Sequence, residues 1–140
     1  MTRISIALTI FFGFLAVGAS ARAQVVVIVN PSVRCTDVSR RDLREVFSGN
    51  ASSLPDGSQV TPVLLKGGAV NGEFLSAYIG KNEAAFFASW RSLVFSGQAS
   101  MPKSLDTEAA MVAYVARNRG TIGYIHKTTP HEGVKVLAVR

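Results

Sequence analysis

The chain has 140 residues, with 15 Lys+Arg against 9 Asp+Glu and a single cysteine. A formal charge of +6, spread along the chain without interleaved aromatic and basic side chains, argues against a nucleic-acid surface. One cysteine excludes an internal disulfide, and the length suits one compact domain without repeats or a dividing linker.

Arg3 gives the amino terminus its positive charge. An uncharged apolar run follows from Ile4 to Val17, and small residues then lead to Ala21-Arg22-Ala23. This is the layout of a cleavable secretory signal over residues 1–23, with an A-x-A cleavage pattern and Gln24 as the first mature residue. The run is shorter than the about 20 apolar residues of a membrane span, so no membrane insertion is expected once the signal is removed. Cys35 lies too far downstream to be a lipid-attachment cysteine at the cleavage site. Removing 23 of 140 residues leaves 117, residues 24–140, read as one domain. Arg3 and Arg22 leave with the signal, so 13 Lys+Arg then face 9 Asp+Glu, a balance of +4. That charge suits an anionic ligand or an acidic envelope partner.

Val25–Val29 is a continuous β-branched run stopped by Asn30-Pro31, which predicts a strand covered on both faces, as in a mostly parallel sheet. A helix follows. Ser39 is placed to cap it, Asp42 stands in the capping-box position, and Val38 can pack on Leu43 as a staple. Leu43, Val46 and Phe47 share one helical face, and Gly49 ends the helix. Residues 50–59 are turn-formers, with the reversal expected at Pro55-Asp56-Gly57. Val60–Leu65 predicts a second strand, in which Pro62 argues for an edge position or an early bulge.

Lys66-Gly67-Gly68-Ala69-Val70-Asn71-Gly72 leads into a short helix through Phe74, Leu75, Tyr78 and Ile79, ended by Gly80. Asn82 is expected to cap a longer helix with a core-facing stripe of Phe86, Phe87, Trp90, Leu93 and Val94. Gly97–Ser104 reads as turns, and Asp106 as the cap of a helix through Met111, Val112, Val115 and Ala116, closed by Gly120. Thr121–Ile125 and Val134–Val139 are the closing strands. The order predicts an α/β domain, a small mostly parallel sheet flanked by helices.

The passage from Leu65 to Phe74 is the candidate ligand site. Glycines before a helix start let an anion approach free backbone N–H groups, and Lys66 adds a charge. The same residues also satisfy a purely structural turn, and both readings stand on local grounds. Three soft ligands, Cys35, His126 and His131, lack metal-ligand spacing, so no metal or other cofactor is expected. Ser48 and Ser96 precede glycines at helix ends, and no paired carboxylates mark acid–base work. Catalysis is therefore not expected.

Four segments together resemble a known family. They are Val38-Ser39-Arg40-Arg41-Asp42-Leu43-Arg44-Glu45-Val46-Phe47-Ser48-Gly49, Asp56-Gly57-Ser58, Phe95-Ser96-Gly97 and Gly120-Thr121-Ile122-Gly123-Tyr124-Ile125. The pattern is similar to the PstS-like phosphate ABC transporter substrate-binding proteins, which are type II periplasmic binding proteins. The resemblance implies a periplasmic, non-catalytic binding fold. A full member is a two-lobed clamshell, and what matches here is one lobe.

In that lobe the family's phosphate loop reads Arg-x-Asp-x-Ser-Gly-Thr. Against it, Lys66 takes the arginine position, Gly68 the aspartate, Val70 the serine and Gly72 the threonine. A cation survives without the planar bidentate fork of arginine, while the carboxylate and both hydroxyls are gone. The resemblance thus implies weak, salt-sensitive and unselective binding of phosphate or another small anion by Lys66, Gly67, Gly68, Asn71 and Gly72. The alternative is an interaction module, in which the lobe binds a transporter or envelope protein, or a second copy of itself, through the same face or through the Arg40/Arg41/Arg44 helix.

Overall fold

The computed structural model describes residues 24–140; the expected signal over 1–23 lies outside the described residues. Strands β1 (Val25–Val29), β2 (Asp37–Val38), β3 (Thr61–Leu65), β4 (Lys103–Leu105), β5 (Thr121–His126) and β6 (Lys135–Val139) form one sheet, ordered β2-β6-β1-β5-β3-β4. Helices α1 (Arg40–Phe47), α2 (Ala69–Phe74), α3 (Glu83–Phe95) and α4 (Glu108–Arg117) accompany it, and a π-helical turn, Leu75–Ile79, extends α2.

The sheet is mostly parallel, as expected, with one reversed strand. β1 runs antiparallel to both β5 and β6, and the other five strands share one direction. The reversed strand is the very run that suggested a parallel sheet. Its continuous apolar character reflects coverage of both faces, not direction: Val25, Val27, Ile28 and Val29 are all buried.

Alternation along β5 sets which helix covers which face. Gly123 faces α4, where a Cβ would stand 2.5 Å from Met111 Sδ. Glycine therefore lets α4 sit close against the sheet. Beside it, the Thr121 hydroxyl donates to Asn118 O at 2.7 Å. Tyr124 faces the other side, stacked on Phe74 of α2 with ring centroids 3.9 Å apart and edge-on to Phe47 of α1 at 5.8 Å.

α1 starts as its sequence dictates. Ser39 Oγ accepts from the Asp42 N–H at 3.0 Å and donates to the Asp42 carboxylate at 2.6 Å. Such a cap contributes about 1 kcal/mol. Leu43, Val46 and Phe47 are buried beneath it.

Asn82 caps α3, its side chain accepting from the Ala85 N–H at 2.8 Å. The α3 stripe is narrower than its sequence suggests. Phe86 and Trp90 are buried, Leu93 partly so, while Val94 is exposed. α3 docks on the end of α1, where Trp90 Nε1 donates to Phe47 O at 2.9 Å. Gly49 lies under that indole, with a left-handed φ of 78° and room for no Cβ, which would fall 2.9 Å from Trp90 Cη2.

Three local expectations change. Residues 103–105, read as the end of a turn-rich stretch and the approach to a helix cap, form β4 beside β3. β3 is therefore interior, but β4 reaches only Val63–Leu65. The Thr61 N–H donates to Gly120 O on the β5 side, so alternation turns the Pro62 nitrogen to the flank that β4 has not yet covered. The cap of α4 is Thr107, which accepts from the Ala110 N–H at 3.0 Å, rather than Asp106.

Candidate functional site

Strand β3 ends where Lys66 N–H donates to Leu105 O at 2.9 Å. Gly67 and Gly68 follow with φ of 94° and 88°, values that side-chain-bearing residues rarely adopt. Two consecutive left-handed residues turn the chain out of the sheet and into α2. Gly68 caps α2 without a side chain, leaving the first-turn backbone approachable from outside.

Of the five candidate residues, Gly68 and Gly72 border an open depression of about 760 Å³ together with Ser76, Lys81, Asn82 and Glu83. Gly67 and Gly68 also border a smaller one shared with Asp106, Thr107 and Glu108. Lys66 extends toward the second. Its Nζ lies 3.5 Å from Asp106 Oδ1, with both side chains more than half exposed. A surface pair of this kind is worth about 0–1 kcal/mol, so the ammonium stays exchangeable.

Asn71 does not line either depression. It is 2 % exposed, and both ends of its amide have partners. The Leu65 N–H donates to the Tyr124 hydroxyl at 2.9 Å, and that hydroxyl donates to Asn71 Oδ1 at 2.5 Å. Asn71 Nδ2 in turn donates to Glu83 Oε1 at 2.5 Å. The order of donors and acceptors is self-consistent: the phenol spends its single hydrogen on Asn71, which fixes the amide with its NH₂ toward the carboxylate. Burial above all pushes the Tyr124 phenol well above its ordinary range. The Glu83 charge adds to the rise and the Leu65 N–H opposes it. The phenol is thus held as a neutral donor.

Glu83 is the residue that local sequence reasoning passes over. It opens α3 and brings a carboxylate to the edge of the glycine turn, 3.7 Å from where a Gly67 Cβ would lie. Asp106 stands on the other flank. Two carboxylates therefore bracket the turn that carries Lys66. Nothing in local spacing ties Glu83 to Asn71, twelve residues away, and no pattern would have revealed it.

The remaining candidates stay apart. His126 Nδ1 pairs with the Thr128 hydroxyl at 2.7 Å, and His131 Nδ1 with Thr129 O at 2.8 Å. Burial, then the Asp56 carboxylate, raises the Cys35 thiol above its ordinary value, which works against a reactive thiolate. Among the described residues no three His, Cys, Asp or Glu side chains are grouped to hold a metal ion. Arg40 is committed to structure, donating to Ala77 O at 2.9 Å with its guanidinium 5.1 Å from the Tyr78 ring centroid; Arg41 and Arg44 are exposed. No described helix is long and apolar enough to cross a membrane.

Comparison with solved structures places this architecture. The chain matches an ABC-type phosphate transport receptor from Vibrio cholerae with a TM-score of 0.62 and 13% identity, over 83% of this chain and 46% of that one. It matches PstS from Borrelia burgdorferi with a TM-score of 0.63 and 12% identity, over 84% of this chain and 47% of that one. The fold is that of one lobe of a phosphate-transporter substrate-binding protein. The chain spans less than half the length of these solved structures, and at such identity the likeness is one of fold. No protein-family model matches the chain, and no curated protein does.

Proposed function

We propose that this is an exported, non-catalytic protein of the solute-binding type, whose single lobe takes a small oxyanion such as phosphate weakly at the Lys66–Gly72 turn. The observation that carries this reading is the turn itself. Two left-handed glycines follow an exposed lysine and precede a helix start that no side chain caps. Lys66 supplies charge by exchanging its Asp106 partner for the ligand, and Gly67 and Gly68 let the anion reach backbone N–H groups.

Three features support weak rather than tight binding. Asn71 is occupied within the buried chain of hydrogen bonds, Glu83 and Asp106 oppose an incoming anion, and the face is open to solvent on one side. Enclosure supplies much of the affinity of solute sites. Calorimetric titration with phosphate and sulfate tests the reading. Millimolar binding of both, weakened by salt and lost in Lys66→Ala, is expected. No heat at tens of millimolar anion would refute it.

A second reading rests on a separate observation. Phe95, at the end of α3, is 96 % exposed, and Val94 and Met101 are also exposed. These exposed apolar side chains suit a protein partner, such as a second copy of the chain. Light scattering of the protein and of Phe95→Ser tests it. A concentration-dependent dimer lost in the variant is expected, and a monomer at all concentrations would refute it.

A further inference from the structure

The Gln24 backbone nitrogen lies 2.5 Å from Glu73 Oε1. Both residues are partly buried, and the position is pinned from the other side too. Gln24 O accepts from the Lys127 N–H at 2.8 Å, and the next residue, Val25, is buried and paired with His126 at the end of the sheet. The Tyr78 hydroxyl closes over Val25 O at 3.5 Å. Glu73 itself is fixed by its place on α2, immediately before the fully buried Phe74. Among the described residues no Lys, Arg or His side chain forms an ion pair with Glu73. The nitrogen facing that carboxylate is also the atom that the Ala21-Arg22-Ala23 pattern marks for release.

We propose that Glu73 is the receptor for a new amino terminus. Hydrolysis of the Ala23–Gln24 peptide bond by a leader-removing peptidase adds water across the C–N bond. Ala23 leaves as a carboxylate, and the Gln24 nitrogen takes up the protons to become an α-ammonium. Glu73 then holds that ammonium as an ion pair. Before cleavage the same carboxylate accepts only a neutral amide N–H. That earlier bond is charge-assisted on the acceptor side alone; after cleavage both partners are charged, which adds their direct attraction, and an adjacent carboxylate favours the protonated amine. Leader removal therefore both frees the domain and tightens it, by locking the first residue of β1's approach onto α2.

This inference rests on the export reading, and its test separates the two. Residues 24–140 contain the whole described fold. One chain is made to begin at Gln24, and a second to retain Ala21-Arg22-Ala23, each with Glu73 and with Glu73→Gln. Mass measurement confirms that Gln24 keeps its ammonia and has not cyclised. Urea unfolding is expected to give a folding constant at least roughly five-fold larger for the chain that begins at Gln24, with that advantage gone in Glu73→Gln. A merely structural Glu73 would lower both chains equally, and that result overturns the proposal. Acylation of the Gln24 α-amine gives a second readout. It is expected to be slow beside Glu73 and several-fold faster in Glu73→Gln, and equal rates would also overturn the proposal. Neither measurement depends on where a cell cuts the chain. The mass of the secreted product tests that separately, and a first residue other than Gln24 would refute the cleavage boundary alone.

Discussion

The Tyr124 hydroxyl donates to Asn71 Oδ1 across 2.5 Å, so the last strand of the motif that resembles the solute-binding family holds the loop that would carry its ligand. The bond links β5 to α2 from beneath, with Phe74 stacked on the same ring. It explains why Asn71 is buried while its neighbours Gly68 and Gly72 are exposed.

Tyr124→Phe should keep the stack and lose the bond. The Leu65 N–H and Asn71 Oδ1 would then lack their buried partner, at a cost of about 1–3 kcal/mol. Urea unfolding measures the loss. A variant as stable as the parent would show that water replaces the hydroxyl.

Alkaline pH should destabilise the fold through the same residue. An unfolded tyrosine ionises near pH 10, whereas burial raises the folded Tyr124 phenol above that. The folded state thus binds more protons above about pH 10, and its stability falls as pH rises further. The contribution is fully present below that pH. One proton corresponds to a slope of about 1.4 kcal/mol per pH unit. Urea midpoints across this range should show that slope in the parent and a flatter one in Tyr124→Phe.

Much of this architecture is legible in the residues alone. The β-branched run at Val25, the Ser39 and Asn82 caps and the Gly49 stop each act within a few residues, where sequence pattern and local energy coincide. The strands β2 and β4 are not legible, because two or three residues show no period and exist only by pairing with β6 and β3. The site divides the same way. Lys66, Gly67 and Gly68 announce a turn. The Tyr124–Asn71–Glu83 chain joins residues 53 and 12 positions apart and arises only once α2 and α3 are packed. The sequence puts Asn71 among the glycines of the turn, but the fold buries it beneath them, where Tyr124 and Glu83 engage its amide.

Close packing of α4 on the sheet depends on Gly123. In Gly123→Ala the new Cβ meets Met111 Sδ at 2.5 Å, with Val115 Cγ2 at 3.4 Å. Met111 is fully buried and has little room to swing away. Overpacking of this kind costs about 1–3 kcal/mol. Thermal unfolding should show the loss. A cycle with Met111→Ala should be non-additive, since the smaller side chain makes room for the added methyl. Strict additivity would place the strain elsewhere.

Glu83→Gln should strengthen anion binding without disturbing the network, since the amide oxygen still accepts from Asn71 Nδ2 while the opposing charge is gone. A gain of several-fold in affinity, measured calorimetrically at low salt, is expected. Unchanged affinity would remove Glu83 from the ligand face.

The most direct test is an NMR titration of the Gln24–Arg140 protein with inorganic phosphate, read at each backbone amide. The expected result is a saturable shift centred on Gly67, Gly68 and Ala69, with a millimolar midpoint that disappears in Lys66→Ala. Amides that stay unmoved at that turn, or that move only at a distant surface, would contradict an anion site there.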